Sequence, residues 1–294
     1  MRAATHSGGF HADDVFALAV LRIAHPGLEI VRTRDKETMA GCDFRVDVGG
    51  VDDPETGDFD HHQRGGAGER ANGIRYAAFG LVWRHLGPRL VGSEETAAAM
   101  DERIVQGVDA NDTGQTIVQS LFGDARPFSV SAVIAAFNPK WDEELSDEEV
   151  AGRFEQAVQL AEDIMRREIQ GAEAWQRARA IVMDAIGRAE EPQIVELPEN
   201  MPWRDPLIDA APDARYVVYP KSDGTWAAHA VPVDPGSFEN RLSFPEPWGG
   251  LSGEALAEET GVADAIFAHP ARFYASAQSR DGVYALARLA LASD

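Results

Sequence analysis

The sequence predicts an α/β fold in two domains, on three observations. In the first sixty residues, short apolar runs alternate with helix-like segments, the order that builds a parallel sheet covered by helices on both faces. From Ser146 to Ile181 one apolar stripe recurs at helical spacing, marking a single long helix. Beyond the Glu190-Glu191-Pro192 turn, strands, a hairpin signal and short helices follow in the mixed order of a smaller α+β domain. Domains are therefore expected over 1–188, with the connecting helix at its end, and over 189–294.

Residues 1–5 read as a short edge of strand feeding a glycine-containing loop from His6 to His11. Asp13 and Asp14 open a helix whose Val15, Leu18, Ala19 and Ile23 fall at helical spacing; Pro26-Gly27 ends it. Acids in a first turn complement the helix dipole, and that role is assigned to Asp14. Residues 28–31 and 44–48 read as strands, with a short helix over 35–40 between them, and turn signals at 52–57 precede a returning strand that delivers Asp60 to His62. A helix is expected over 74–86. Ser93 caps another, which runs through Met100, Ile104 and Val108 to the polar segment 109–114. Ser146 and Glu149 form a capping box ahead of the long stripe. In the second domain, 194–197, 216–219 and 226–231 read as strands, with a hairpin turn at 221–224. Prolines hold 244–248 extended, Gly261 closes a helix over 252–259, and 283–291 is the last helix.

Composition narrows the classes. Of 294 residues, 44% are hydrophobic and 26% charged, as in a globular chain with real cores. With 49 acids against 27 bases, the net charge of −22 argues against broad electrostatic binding to duplex nucleic acid. The one cysteine, Cys42, excludes an internal disulfide and reads as buried filler, which suits a reducing, cytoplasmic setting. The apolar run 15–24 is too short to span a bilayer, and candidate functional residues from His6 onward leave no room for a removable leader.

The chemistry gathers at strand ends. His6, His11 and Asp13 follow the first strand, Asp47 ends the third, and Asp60-His61-His62 follows the returning one, in a chain with only 8 histidines. Ligands of parallel sheets sit at the carboxyl ends of the strands. Imidazole nitrogens beside carboxylate oxygens suit Mn, Fe, Co or Zn, and a carboxylate bridging two such ions is an arrangement that activates water against phosphate. Asp109 and Asp112, after the second helix of the 74–114 segment, either form a polar turn or supply a further carboxylate.

These motifs resemble a known family. Thr5-His6-Ser7-Gly8-x-Phe10-His11-x-Asp13, Asp47-Val48-Gly49-Gly50 and Asp60-His61-His62-Gln63-Arg64 are similar to the melanocyte-proliferating-gene (Myg-type) family, a branch of the DHH phosphoesterase superfamily. So are Ala78–Trp83, Val108–Asp112, Pro202-Trp203, Ser237-Phe238-x-x-Arg241-Leu242 and Pro245–Leu251, which together extend over nearly the whole chain. The resemblance implies a DHH-type domain with a smaller C-terminal domain and substrate bound between them. It also implies a manganese-type site for two divalent ions (Mn), and a 3′–5′ exonuclease acting on single-stranded RNA or short oligonucleotides. By the same resemblance the metal ligands would be His6, His11, Asp13, Asp47 as the bridge, His61 and Asp109. Asp60 would orient His61, while His62 and Arg64 would face the phosphate; Arg241, His269 and Arg272 would bind substrate from the C-terminal domain. One departure is expected to weaken the substrate grip: where relatives carry a Gly-Gly-His turn, this chain reads Phe273-Tyr274-Ala275-Ser276-Ala277. Two other readings stay open, a hydrolase of small phosphates (pyrophosphate, phosphomonoester or cyclic dinucleotide) and a catalytically weak metal- or nucleotide-binding regulator. No membrane partner is expected, and a homodimer is left open.

Overall fold

The computed structural model describes residues 1–123 and 125–293. The chain divides into two compact units, Met1–Glu173 and Ala174–Asp294. Five strands of the first unit form a sheet: β1 (Arg2–Thr5), β2 (Glu29–Arg32), β3 (Phe44–Val46), β4 (Asp52–Asp53) and β5 (Asp58–Phe59). Their order is β2-β1-β3-β5-β4, parallel except for the antiparallel edge strand β4. β1 is therefore interior, paired on both sides, and its buried Ala3, Ala4 and Thr5 fit that position. Two helices make the crossovers, α1 (Ala12–Ala24) from β1 to β2 and α2 (Lys36–Ala40) from β2 back to β3. These connections run in opposite directions across the sheet, so right-handed crossing places them on opposite faces.

Four more helices follow in this unit: α3 (Ala78–Val91), α4 (Glu94–Met100), α5 (Gln106–Asp112) and α6 (Val130–Ala135), before the 42-residue α7 (Asp147–Arg188). α1 is apolar on almost every side from Val15 to Leu21 and is buried throughout that stretch. It packs on α3 with the Phe16 and Phe79 rings 5.3 Å apart, and each such ring contributes about 1.5–3 kcal/mol by leaving water. α3 runs past the Gly87-Pro88 pair at which the sequence suggested an end. Pro88 removes one helical hydrogen bond. Gly87 has a packing reason, since a Cβ there would lie 2.7 Å from the Trp83 indole. A π-helical turn, Asp101–Val105, joins α4 to α5. The capping box ahead of α7 forms in both directions: the Ser146 N–H donates to Glu149 (2.8 Å), and the Glu149 N–H donates to Ser146 Oγ (3.3 Å).

The second unit holds β6 (Ile194–Glu196), α8 (Arg204–Ala210), β7 (Tyr216–Pro220), β8 (Trp226–Ala230), α9 (Gly253–Thr260), β9 (Ala265–Ala268), β10 (Tyr274–Ala277) and α10 (Arg280–Leu291). Its sheet runs β6-β7-β8-β10-β9, antiparallel but for the β6–β7 pair. The far end of α7 belongs to this unit: Val182 is fully buried in a cluster with Val195, Leu197 and Val217. The division into units therefore falls inside the helix, whereas the sequence placed it after Arg188. Residues 246–248, expected to be extended, form a 3-10 turn, because a proline at its start needs no backbone donor. Among the described residues no helix is long and apolar enough to cross a membrane.

Candidate metal centre

The sheet order brings the candidate residues together. β1 pairs directly with β3, Thr5 against Val46, so the residues that follow, His6 and Asp47, leave the sheet side by side. The chain turns from β1 towards β2 on one side and returns to β3 on the other, which makes this gap the switch point where doubly wound sheets bind ligands. His6 Nε2 lies 3.2 Å from Asp47 Oδ2. β5 pairs with the other edge of β3 and carries Asp60, His61 and His62 past the same point; the Asp47 N–H donates to the Phe59 carbonyl (3.0 Å).

The loop from His6 to His11 is pinned by Asn138, whose amide accepts from the Phe10 N–H (2.9 Å) and donates to the Phe10 carbonyl (2.8 Å). α1 then begins with two buried acids. Asp14 stands in the first turn, where it was expected to complement the helix dipole; its Oδ1 accepts from the N–H groups of His11 (2.9 Å) and Val15 (2.8 Å), but Oδ2 also lies 3.4 Å from His6 Nε2. Asp13 accepts from the Ala78 N–H at the start of α3 (3.3 Å) and stands 3.7 Å from His61 Nε2.

His61 faces three carboxylates: Asp47 at 3.1 Å, Asp112 at 3.2 Å and Asp13 at 3.7 Å. Asp112 also reaches His11 Nδ1 at 3.4 Å. The carboxylate from α5 at the cluster is thus Asp112, where the sequence pointed to Asp109. Asp109 is fully buried one turn earlier, paired with Arg70 (2.9 Å) and accepting from the Gly80 N–H (3.0 Å). It holds α5 against α3. Asp60 also departs from expectation. It grips His62 rather than His61, accepting from the His62 backbone N–H (3.0 Å) and lying 2.8 Å from its Nδ1, while its other oxygen accepts from the Gly50 N–H (2.6 Å).

Among the described residues, three overlapping groups could each hold an ion, with candidate ligand atoms within 4.8 Å of one another: His6, His11 and Asp47; Asp47, His61 and His62; His11, Asp13 and Asp112. Asp47 belongs to two of them. It turns Oδ2 to His6 and Oδ1 to His61 and His62 (3.1 and 3.2 Å). Asp47 is also one of two described non-glycine residues with positive φ, at 53°. That explains why β3 stops at Val46, and backbone strain of this kind collects at functional sites.

The electrostatics fit a cation. Burial first, then Asp47, Asp112 and Asp14, pushes the Asp13 carboxyl well above its ordinary range, and burial pushes Asp14 up to about 7 against the pull of His6. Burial opposes charge on Asp47 as well, but His6, His61 and His62 outweigh it and hold that carboxyl low. Burial likewise works against a charged His61, yet Asp112 and Asp47 raise it to about 10; Asp47, with Asp60, raises the more exposed His62 to about 9. Asp13 Oδ1, Asp14 Oδ2, Asp47 Oδ1 and His61 Nε2 are buried without an aligned hydrogen bond. Crowded carboxylates with unused lone pairs, next to imidazole nitrogens, form a donor set suited to a borderline divalent ion.

The site opens into a cavity of 480 Å³ lined by His6, His11, Asp47, His62, Asp112 and Arg34. Arg34 escaped the sequence reading, although it follows β2 as His6 follows β1, at the same end of the sheet. Arg64 is exposed and outside this lining. In the second unit, Arg241 cannot serve as a free substrate cation. Its guanidinium donates to the carbonyls of Ala211 (2.7 Å), Ile208 (2.9 Å) and Ala214 (3.2 Å), capping the end of α8. His269 and Arg272 bound the tight β9–β10 turn; His269 Nδ1 accepts from the Ala271 N–H (3.0 Å), and Arg272 has a φ of 58°. Residues 274–277, read as an altered phosphate-gripping turn, are instead the interior strand β10, paired with β8 and β9, with Ala275, Ser276 and Ala277 buried.

Fold and site together define an α/β protein with a carboxylate–histidine cluster at the switch point of its first sheet. The chain belongs to the MYG1_exonuc family, described as an uncharacterised protein family (UPF0160), whose model matches residues 2–291. This is the family that the sequence motifs resembled. The human MYG1 exonuclease is 34% identical over 326 aligned residues, covering 99% of this chain and 86% of the relative. The MYG1 protein of Schizosaccharomyces pombe is 32% identical, covering 99% and 97%. Among solved structures, a pGpG-specific phosphodiesterase from Vibrio cholerae covers 100% of this chain and 99% of its own at 15% identity, with a TM-score of 0.34, too low to bear on fold or chemistry.

Proposed function

We propose that this protein is a metal-dependent hydrolase of phosphodiester bonds, acting as a 3′–5′ exonuclease on single-stranded RNA or short oligonucleotides. The observation that carries the reading is the two-sided carboxylate of Asp47, one oxygen towards His6 and the other towards His61 and His62. His6, His11, Asp13, Asp47, His61 and Asp112 would hold two divalent ions, Mn among the candidates by donor type. Bound there, such ions supply Lewis-acid polarisation of a phosphoryl group and lower the pKa of water. The chain's own groups do the rest. Arg34 in the cavity wall provides a cation for a non-bridging phosphate oxygen. The His62 ring, 62% exposed and fixed by Asp60, is the group placed to donate a hydrogen bond or proton to the phosphate. The exonuclease activity in the name of the human relative supports the reaction class.

A cavity of 480 Å³ in a chain of net charge −22 favours short substrates over long polyanions. The test is metal content per purified chain, together with turnover of a length series of single-stranded RNA with added Mn. Two ions per chain and efficiency that falls with length are expected. A metal-free chain, fully active in chelator, would sink the proposal.

A further inference from the structure

The second unit contains a cavity of 380 Å³ that none of the chemistry above uses. Its walls are aromatic: Trp175 on α7, Trp203 ahead of α8, Tyr219 on β7 and His229 on β8. The His229 ring stacks on Tyr219, centroids 5.9 Å apart and planes 17° from parallel, and meets Trp203 edge-on at 6.1 Å. Tyr274 also meets it edge-on, at 5.0 Å. Trp203 and Tyr219 are buried, whereas Trp175 is half-buried and Asn200 and Arg204, at the mouth, are exposed. Neither the His229 ring nor the Asn200 side chain makes a hydrogen bond among the described residues. A box that served only as core would be filled; this one leaves a hollow within the size range of small-ligand sites, edged by polar groups.

We infer that this hollow is a nucleobase subsite, taking the base of a nucleotide against its indole and phenol faces, with Asn200 and His229 as hydrogen-bond partners for the base edge. Base–aromatic stacking tolerates any base and does not depend on net positive charge, so it suits a chain of −22. Burial, with Arg204 adding to it, pushes His229 down to about 4. The neutral ring offers one donor and one acceptor, as base edges do. Arg204, over the Trp203 ring at 5.8 Å, adds a cation at the mouth for the phosphate.

The choice of ligand rests on the phosphodiesterase reading; the pocket itself does not. The experiment therefore measures binding in chelator, apart from turnover. The full-length chain is titrated with adenosine, adenosine 5′-monophosphate and, as a base-free control, ribose 5-phosphate, by tryptophan fluorescence and calorimetry. Both adenine compounds should bind, with ribose 5-phosphate at least about tenfold weaker. Trp175→Ala and the exposed Asn200→Ala, each checked for folding by circular dichroism, should weaken adenosine by about tenfold and a few-fold respectively. Equal binding of ribose 5-phosphate and the monophosphate would overturn the inference. So would adenosine affinity unchanged in both variants, or no adenosine binding at all. Adenosine binding in a protein that hydrolyses no phosphodiester would support the subsite while removing the exonuclease reading.

Discussion

His61 in the first unit and His229 in the second are both largely removed from water, yet their surroundings move them in opposite directions, His61 towards the charged form and His229 towards the neutral one. Burial, with the nearby Arg204 adding to it, moves His229 to about 4, because the rings of Trp203, Tyr219 and Tyr274 offer nothing to stabilise an imidazolium. The same burial acts on His61, but Asp112, Asp47 and Asp13 overcome it and carry the group to about 10. Desolvation neutralises a histidine by default; converging carboxylates turn it into a cation. In the metal-free first unit the proton on His61 balances carboxylates that folding has crowded together, work that passes to the cation when one is bound and the ring turns ligand. In the second unit the imidazole is kept neutral for contacts that need no charge.

The largest effect should come from removing the shared carboxylate. Asp47→Asn is expected to lower phosphodiester hydrolysis by at least about a thousandfold while leaving the far-ultraviolet spectrum unchanged, since Asn tolerates the left-handed backbone. Activity within tenfold of the parent at limiting Mn would show that Asp47 does not join two ions. Next, Asp112→Asn should weaken Mn binding in calorimetry by at least about tenfold, whereas Asp109→Asn should leave Mn affinity close to that of the parent and lower the melting temperature. The reverse outcome would restore Asp109 as the ligand and place Asp112 outside the site.

Stability against pH sharpens the contrast between the two histidines. The folded pKa of His61 lies above its unfolded value, so its contribution is complete below about pH 6.5 and is lost as pH rises towards 10. Metal-free protein should therefore melt lower at pH 9.5 than at pH 7, and Mn should remove that loss. His229 lies below its unfolded value; it costs nothing above about pH 6.5 and destabilises as pH falls from there to 4. His229→Phe should flatten this acid-side decline by about 2–3 kcal/mol in denaturant melts at pH 4.5, and a decline of unchanged steepness would place its origin elsewhere.

Much of the first site was legible because strand ends can be found from short apolar runs. His6, His11, Asp13, Asp47 and His61 follow such ends, and the structure gathers them. Asp109 and Asp112 could not be told apart in the same way. Residues three apart share one face of a helix, so periodicity gives the direction of a side chain without its depth along the axis. Depth is decided by Gly80, whose missing side chain admits Asp109; a Cβ there would lie 1.9 Å from its Oδ2. Arg34 was open to the strand-end argument used for His6 and was passed over for lack of a motif. β10 carries a different lesson. Tyr-Ala-Ser-Ala has no β-branched residue, and it is a strand because β8 and β9 pair with it on both sides.

The left-handed backbone at Asp47 limits what can ever stand there. Glycine and asparagine accept a φ of 53° readily, but neither brings a carboxylate to the cluster. Glutamate brings the carboxylate, but its longer side chain lacks the local hydrogen bonding that lets aspartate rest in this conformation. Aspartate meets backbone and chemistry together, so a drift to asparagine keeps the turn and loses the charge, while a drift to glutamate keeps the charge at a cost to the turn.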